Sequence, residues 1–382
     1  MNILKNMLCK AVCEIIALCT RRKCIVFEST PDFADNTRPV FDEMLRMGLD
    51  QKYNLVWSVT NDKKLAIENP HVRYIFPKSD KLLEKIRNTY YLSSAKCLIC
   101  CNRFLWPKTR RQLAVFLSHG TPIKYVRDNY NVPDSINYCV SASEEVAGII
   151  AFQSRFPEER MVSLGYPRND VFSEEIKDVK ALLNTKNDKI IVWYPTFRQH
   201  KCGRKTAASK TLPVIHDSTL AKRLNSYAAE NNVLIVLKPH FAQDLSYVKD
   251  LGLSNIRIIY DDFFEENQIS SYGFLNGCDA MITDYSSVYF DYTLADKPIG
   301  AVWEDIDEYR QNPGFAIDID YYMQGAEKIY EIEQFEAFIK NVAVGNDLLR
   351  EQRRMIRDLV NYSTDGKNTQ RVVDFIVQKA NL

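Results

Sequence analysis

The chain has 382 residues, 46% of them apolar and 26% charged. That composition excludes a disordered or low-complexity protein, and the length exceeds what one hydrophobic core usually serves, so two domains are expected. Fifty basic against 49 acidic residues leave a net charge of +1, without the basic excess of a nucleic-acid binder, so an anionic ligand must be met by local groups.

Residues 3–19 place Leu4, Leu8, Ala11, Val12, Ile15 and Leu18 on one helical face, with Arg21-Arg22-Lys23 behind. Lys10 and Glu14 interrupt the stretch, which is too short and too charged to cross a bilayer. The uninterrupted apolar region and small-residue cleavage site of a signal peptide are missing. Two readings stand at this stage: residues 1–23 form an amphipathic helix in a membrane interface, or a helix docked on the protein's own surface. The ten cysteines lie mostly in apolar runs without paired spacing, as buried thiols of a reducing compartment do. Cys97, Cys100 and Cys101 have no second Cys/His pair at finger spacing, so no metal site is expected there.

From residue 24 onward the chain alternates. Strands are expected at 24–28, 55–59, 72–76, 97–101, 113–117, 138–141 and 161–164, and again at 189–194, 233–238, 256–260, 280–283 and 298–302. Helical patterns lie between them, including 39–47, 218–230 and 268–277. Residues 201–209 read as a loop, and the pattern after residue 305 is helical. Such alternation implies an α/β protein with parallel sheets covered on both faces. The polar stretch 173–188 divides it into an N-terminal domain, 24–175, and a C-terminal domain, 176–382. Two doubly wound, Rossmann-like domains facing a central cleft are the expected architecture, with ligands at the carboxyl ends of the strands.

The first series carries Ser118-His119-Gly120-Thr121-Pro122-Ile123-Lys124 after the apolar run 113–117. Histidine suits proton transfer near neutral pH, Gly120 removes a side chain beside it, and Thr121-Pro122 is expected to start a helix. A structural histidine is the competing reading. Gly165-Tyr166-Pro167-Arg168-Asn169-Asp170 ends the series and would aim Arg168 at the cleft, unless it is only a turn into the linker. In the second series Tyr194-Pro195-Thr196-Phe197-Arg198 and Lys238-Pro239-His240 follow strands. Thr283-Asp284-Tyr285-Ser286-Ser287-Val288 joins a strand to a helix whose N-cap is expected at Asp284 or Ser286. Thr196, Arg198, Lys238, His240, Ser286 and Ser287 would thus bring cations, hydroxyls and helix N–H groups to one sheet edge, the requirements of a pyrophosphate site. No glycine-rich phosphate loop is present. Asp318-x-Asp320 has the look of a metal-chelating pair, a commonplace one.

These segments, in this order, resemble the CDP-glycerol glycerophosphotransferase family, whose members build wall teichoic acids and related capsule polymers. They extend from about residue 25 to 320, and Tyr309-Arg310-x-x-x-Gly314-Phe315 looks like a further family segment near the nucleotide. Lys238 stands where an arginine is common, and Trp193-Tyr194 replaces a usual Tyr-Ala pair before Pro195. The resemblance implies the GT-B architecture and a CDP-glycerol donor held mainly by the second domain. It also implies an undecaprenyl-linked acceptor whose hydroxyl attacks the β-phosphorus and displaces CMP. His119 would be the general base and His240 would hold or protonate the donor phosphates. Thr196, Arg198, Lys238, Asp284, Ser286 and Ser287 would bind donor phosphate, while Gly120, Thr121, Lys124 and Arg168 would line the acceptor side or cleft. No metal site is assigned, and a need for Mg²⁺ stays open. The implied location is peripheral, on the cytoplasmic face of the plasma membrane.

With only a short helix besides the catalytic body, a primase-like enzyme adding one unit is expected. A short polyol-phosphate polymerase and a CDP-ribitol enzyme are alternatives. A GT-B glycosyltransferase or epimerase would prefer UDP-based nucleotides, and a non-catalytic wall-associated binding protein would not be expected to keep both histidines.

Overall fold

The computed structural model describes residues 2–20, 23–60, 67, 69–105, 109–196, 211–239, 245–249 and 251–382, with side chains from residue 10 onward. Arg21, Arg22, Arg198, the expected loop 201–209 and His240 lie outside the described residues. The chain forms two α/β units, each with a parallel sheet.

The first unit contains β1 (Cys24–Glu28), β2 (Asn54–Ser58), β3 (Val72–Ile75), β4 (Ala95–Cys100), β5 (Leu113–Phe116), β6 (Tyr138–Ser141) and β7 (Met161–Ser163). Their order is β3-β2-β1-β4-β5-β6-β7, all parallel. The second contains β8 (Lys189–Trp193), β9 (Val233–Leu237), β10 (Ile256–Ile258), β11 (Ala280–Thr283), β12 (Ile299–Val302) and β13 (Glu327–Ile329), in the order β10-β9-β8-β11-β12-β13. Central strands such as Val-Leu-Ile-Val-Leu of β9 are apolar throughout because helices cover both faces. All twelve expected strands are present. The thirteenth, β13, pairs only with β12 and reads Glu-Lys-Ile, without an apolar run.

In each unit the winding direction reverses between two neighbours, β1 and β4 in the first and β8 and β11 in the second. Loops leaving such a pair diverge and open a crevice at the carboxyl edge.

The division of the chain differs from the expected 24–175 and 176–382. The first unit comprises residues 1–121, 127–170 and 361–382, and the second comprises 122–126 and 171–360. The last helix, Asn368–Ala380, buries Val372, Val373 and Ile376 with Phe27, Phe41 and Trp57 of the first core. A Cβ on Gly165, whose φ is +82°, would meet the Asn368 side chain at 2.0 Å, so this return crossing explains that glycine. The helix expected at Thr121-Pro122 does not form. Lys124 instead makes an antiparallel bridge to Phe315, with Tyr125 N–H donating to Gly314 at 3.0 Å and Ala316 N–H to Ile123 at 2.8 Å.

The N-terminal helix α1 (Asn2–Cys19) packs on the first unit, with Cys13 and Ala17 buried and Glu14 accepting the Arg110 N–H at 2.7 Å. Among the described residues no helix is long and apolar enough to cross a membrane. Cys97, Cys100, Cys101 and Cys139 are buried free thiols, and desolvation raises their pKa values.

Candidate active site

In the first unit β5 ends at Phe116 and delivers Ser118-His119-Gly120. Ser118 adopts the left-handed region at φ +57° and Gly120 lies at φ +135°, so the chain turns sharply and projects His119 from the sheet edge, its residue surface open to solvent. Three carbonyls of this turn are held. Asn36 Nδ2 donates to Ser118 O at 2.9 Å and to Leu117 O at 3.4 Å, and Arg168 Nη1 donates to His119 O at 3.0 Å. Arg168 also pairs with Asp35 at 2.5 Å, and its own N–H donates to Asn36 Oδ1 at 3.2 Å.

Desolvation pulls the His119 imidazole below its ordinary range, with the Asp35 carboxylate opposing and the Arg168 guanidinium adding to the shift. The backbone of Cys101 is a lesser influence that favours the protonated ring. A neutral, oriented imidazole is what general-base chemistry requires.

Arg168 therefore does not stand free at an acceptor surface. It is mostly buried and clamps the histidine turn. Thr121 is buried, and Lys124 belongs to the second unit, where its ammonium lies 5.8 Å from the centre of the Tyr309 ring.

Glu28, Asp35 and Asn36 were not legible as site residues. Glu28 ends β1 fully buried, and its carboxylate accepts the N–H groups of Cys101, Asn102 and Arg103 at 3.3, 3.1 and 2.9 Å. It thereby ties β1 to the loop after β4. An acid closing an apolar strand was the available signal.

In the second unit Thr196 follows β8 and Asp284 follows β11. Asp284 is fully buried and accepts the Thr196 N–H at 2.8 Å and the Thr196 hydroxyl. It is a staple across the switch point, not the expected N-cap. The cap position belongs to Ser287, without a side-chain bond, and the helix Val288–Tyr292 is a short one. Among the described residues, the Ser286 and Ser287 hydroxyls and the N–H groups of Ser286, Ser287 and Val288 make no hydrogen bond to protein groups. Tyr285, between them and Asp284, donates to Asp305 at 3.1 Å and packs on Tyr309, ring centres 4.2 Å apart, and on Phe315 at 5.4 Å. The Tyr309-to-Phe315 segment thus packs against the residue that precedes Ser286.

Lys238, after β9, is committed in this structure to Asp261 at 2.9 Å. Asp261 is largely exposed, so that ion pair is weak and exchangeable for a bound anion. At the end of β12, Glu304 accepts the Val214 N–H at 2.8 Å and His216 Nε2 at 2.5 Å. This dyad gives no local sequence signal, since the two residues lie 88 positions apart. The carboxylate holds His216 above its ordinary pKa. The Asp318/Asp320 pair has other duties: Asp318 caps the turn Ile319–Tyr322 and Asp320 pairs with Arg310 at 2.6 Å.

The match to the family described as CDP-Glycerol:Poly(glycerophosphate) glycerophosphotransferase spans residues 12–378. The chain belongs to this family. This glycerophosphotransferase is 28% identical over 340 residues to a teichoic acid poly(glycerol phosphate) polymerase of Bacillus spizizenii, covering 81% of each chain. It is 21% identical over 367 residues to a teichoic acid glycerol-phosphate primase of Bacillus subtilis, covering 90% of this chain and 89% of that one. It spans less than half of a polymerase from Staphylococcus epidermidis, 41% of that protein at 26% identity. In fold it is similar to the wall teichoic acid polymerase TagF, with a TM-score of 0.75 at 22% identity over 94% of this chain and 90% of that one. The two doubly wound units of this glycerophosphotransferase are therefore a GT-B architecture.

Proposed function

We propose that this glycerophosphotransferase moves glycerol phosphate from CDP-glycerol to a hydroxyl of a lipid-linked acceptor, as a primase-like first addition. The observation that carries the mechanism is the turn bearing His119 at the end of β5, held by Asn36 and Arg168. The acceptor oxygen forms a bond to the β-phosphorus, the bond from that phosphorus to the bridging oxygen breaks, and CMP leaves. The acceptor proton goes to the His119 imidazole.

Phosphoryl transfer asks a protein mainly for position and charge neutralisation. In this reading the Ser286 and Ser287 groups and Lys238, released from Asp261, receive the donor phosphates, with Thr196 and Asp284 fixing the edge. Arg198 and His240 join them on the strength of the family motifs. Gly120 and Thr121 lie on the acceptor side with His119. The chain is similar over most of its length both to a primase and to a polymerase, so product length is what separates one addition from several. The exposed apolar side of α1 supports a peripheral position on the cytoplasmic membrane face, where an undecaprenyl-linked acceptor would be met.

The test is incubation with a lipid-linked disaccharide and CDP-glycerol or CDP-ribitol, with mass spectrometry of the lipid product. One added glycerol phosphate with stoichiometric CMP is expected. A ladder of additions overturns the primase assignment, and transfer from CDP-ribitol alone overturns the donor.

A further inference from the structure

The carboxyl ends of β4 and β5 run side by side, with the Leu117 N–H donating to Cys100 O at 2.7 Å. His119 stands two residues beyond the first of these positions and Arg103 three beyond the second. The loops after two neighbouring strands thus carry the base and a guanidinium to one sheet edge. Glu28, at the end of β1, fixes Arg103 there: the Arg103 N–H and its Nε donate to the Glu28 carboxylate at 2.9 and 3.0 Å. Arg103 is therefore held where the winding of the first sheet reverses, between β1 and β4. An open parallel sheet takes its ligand at that point.

This anchoring leaves most of the guanidinium unused. Among the described residues it hydrogen bonds through Nε alone, and Nη2 is buried without an acceptor. A buried charged N–H without a partner is costly, and a ligand oxygen would complete it. Glu28 does not cancel the charge, since its carboxylate is divided among the N–H groups of Cys101, Asn102 and Arg103 as well as Nε. Two other acids of the loop after β1 are engaged elsewhere, Asp35 by Arg168 and Asp32 by the N–H and hydroxyl of Thr60, both at 2.8 Å. The Arg103 side chain as a whole stays 33% exposed, so a solute can reach it. A guanidinium gripped at Nε keeps its two Nη groups as a planar fork, the geometry that clasps two oxygens of a phosphate.

We propose that Arg103 binds a phosphate group of the acceptor, holding the acceptor on the first unit so that its hydroxyl meets His119. The inference rests on the transfer reading above and adds the residue that recognises the acceptor by charge. Two acceptor phosphates have this chemistry: the diphosphate that joins a sugar to its lipid, and the phosphodiester of a glycerol phosphate already added. A lysine in this place would supply charge without the fork, and a glutamine neither.

The test uses the full chain with three soluble acceptors: a disaccharide on a short alkyl diphosphate, the same disaccharide as a neutral alkyl glycoside, and that glycoside bearing one glycerol phosphate. Calorimetry reads acceptor binding, and steady-state kinetics read the KM of donor and acceptor. Arg103→Gln should raise Kd and KM for a phosphate-bearing acceptor by about 10–100-fold, the loss expected for charge-assisted hydrogen bonds. Donor KM should stay unchanged, and Arg103→Lys should fall between parent and Arg103→Gln. The parent should bind the neutral glycoside at least about tenfold more weakly, and there the substitution should add nothing further. Whichever phosphate-bearing acceptor shows the loss identifies the source of the phosphate. Parental affinity indifferent to the phosphate, equal losses on all three acceptors, a rise in donor KM alone, or a fall in kcat with acceptor Kd unchanged each overturns the assignment. If Arg103→Gln does not fold, Arg103→Lys, which keeps a cation beside Glu28, is judged by the same criteria. Phosphate-dependent binding that needs Arg103, without turnover of CDP-glycerol, overturns the transfer reading and leaves the acceptor site standing.

Discussion

The buried carboxylate of Asp284 accepts both the backbone N–H, at 2.8 Å, and the hydroxyl of Thr196. The two residues follow β11 and β8, the neighbours between which the second sheet reverses its winding. Glu28 does the corresponding work in the first unit, joining β1 to the loop after β4. Each sheet therefore has its crevice stapled by an acid whose charge is consumed internally, leaving ligand contacts to the residues around it.

Asp284→Ala should raise the apparent KM for CDP-glycerol and lower the thermal midpoint. It strips Thr196 of charge-assisted hydrogen bonds that are worth about 1.5–3 kcal/mol each. A kinetic titration paired with a melting curve checks this, and an unchanged KM would detach the staple from donor binding.

His119→Ala should lower kcat by about 10²–10⁴-fold, the usual cost of losing a general base. CDP-glycerol affinity measured by calorimetry should stay nearly constant. A folded variant keeping more than about a tenth of parental turnover would remove His119 from that role.

The pH dependence follows from the direction of the His119 shift. Partial desolvation by its neighbours lowers its pKa in the folded protein although the residue keeps open surface, so the base form persists below the ordinary histidine value of about 6.5 and the acid limb of kcat/KM should lie beneath it. As pH falls through that window the unfolded chain takes up the proton first, and stability decreases. Asp35→Asn removes a carboxylate that favours the imidazolium, so the limb should move further down in a pH–rate profile.

Asn36→Ala should reduce kcat without altering donor KM. The substitution frees the Leu117 and Ser118 carbonyls and loosens the turn bearing His119. Loss of a buried partner costs about 1–3 kcal/mol. Donor KM rising in step with the fall in kcat would count against a purely positioning role.

His216 shifts the other way, raised first by its hydrogen bond to Glu304. Its stabilising contribution is fully present below the unfolded value of about 6.5 and is lost as pH rises through the folded pKa. Both side chains are about one-third exposed, 38 and 32%, so solvent screens the effect. Urea midpoints of parent and Glu304→Gln should differ more at pH 5.5–6 than at pH 8, and equal differences at both would rule out the linkage.

The sequence alone determined the strands, because parallel strands covered on both faces must be apolar throughout, as in Val233–Leu237. It also determined the family, since His119-Gly120-Thr121-Pro122 and Thr283-Asp284-Tyr285-Ser286-Ser287 are contiguous segments at strand ends. What tertiary structure decided is every partnership across a sheet edge. Thr196 with Asp284 and Arg168 with Asp35 are separated by 88 and 133 residues, and nothing local marks one acid as a staple and another as a cap. Only the order of strands brings their ends together. The return of Asn368–Ala380 to the first unit was equally silent, because an amphipathic helix carries the same period whichever core receives it. Burial of Asn88 with exposure of Leu82 and Leu83 in the helix Leu82–Ser94 belongs to the same class: periodicity shows that a helix has two sides, and the packing around it settles which side meets the protein.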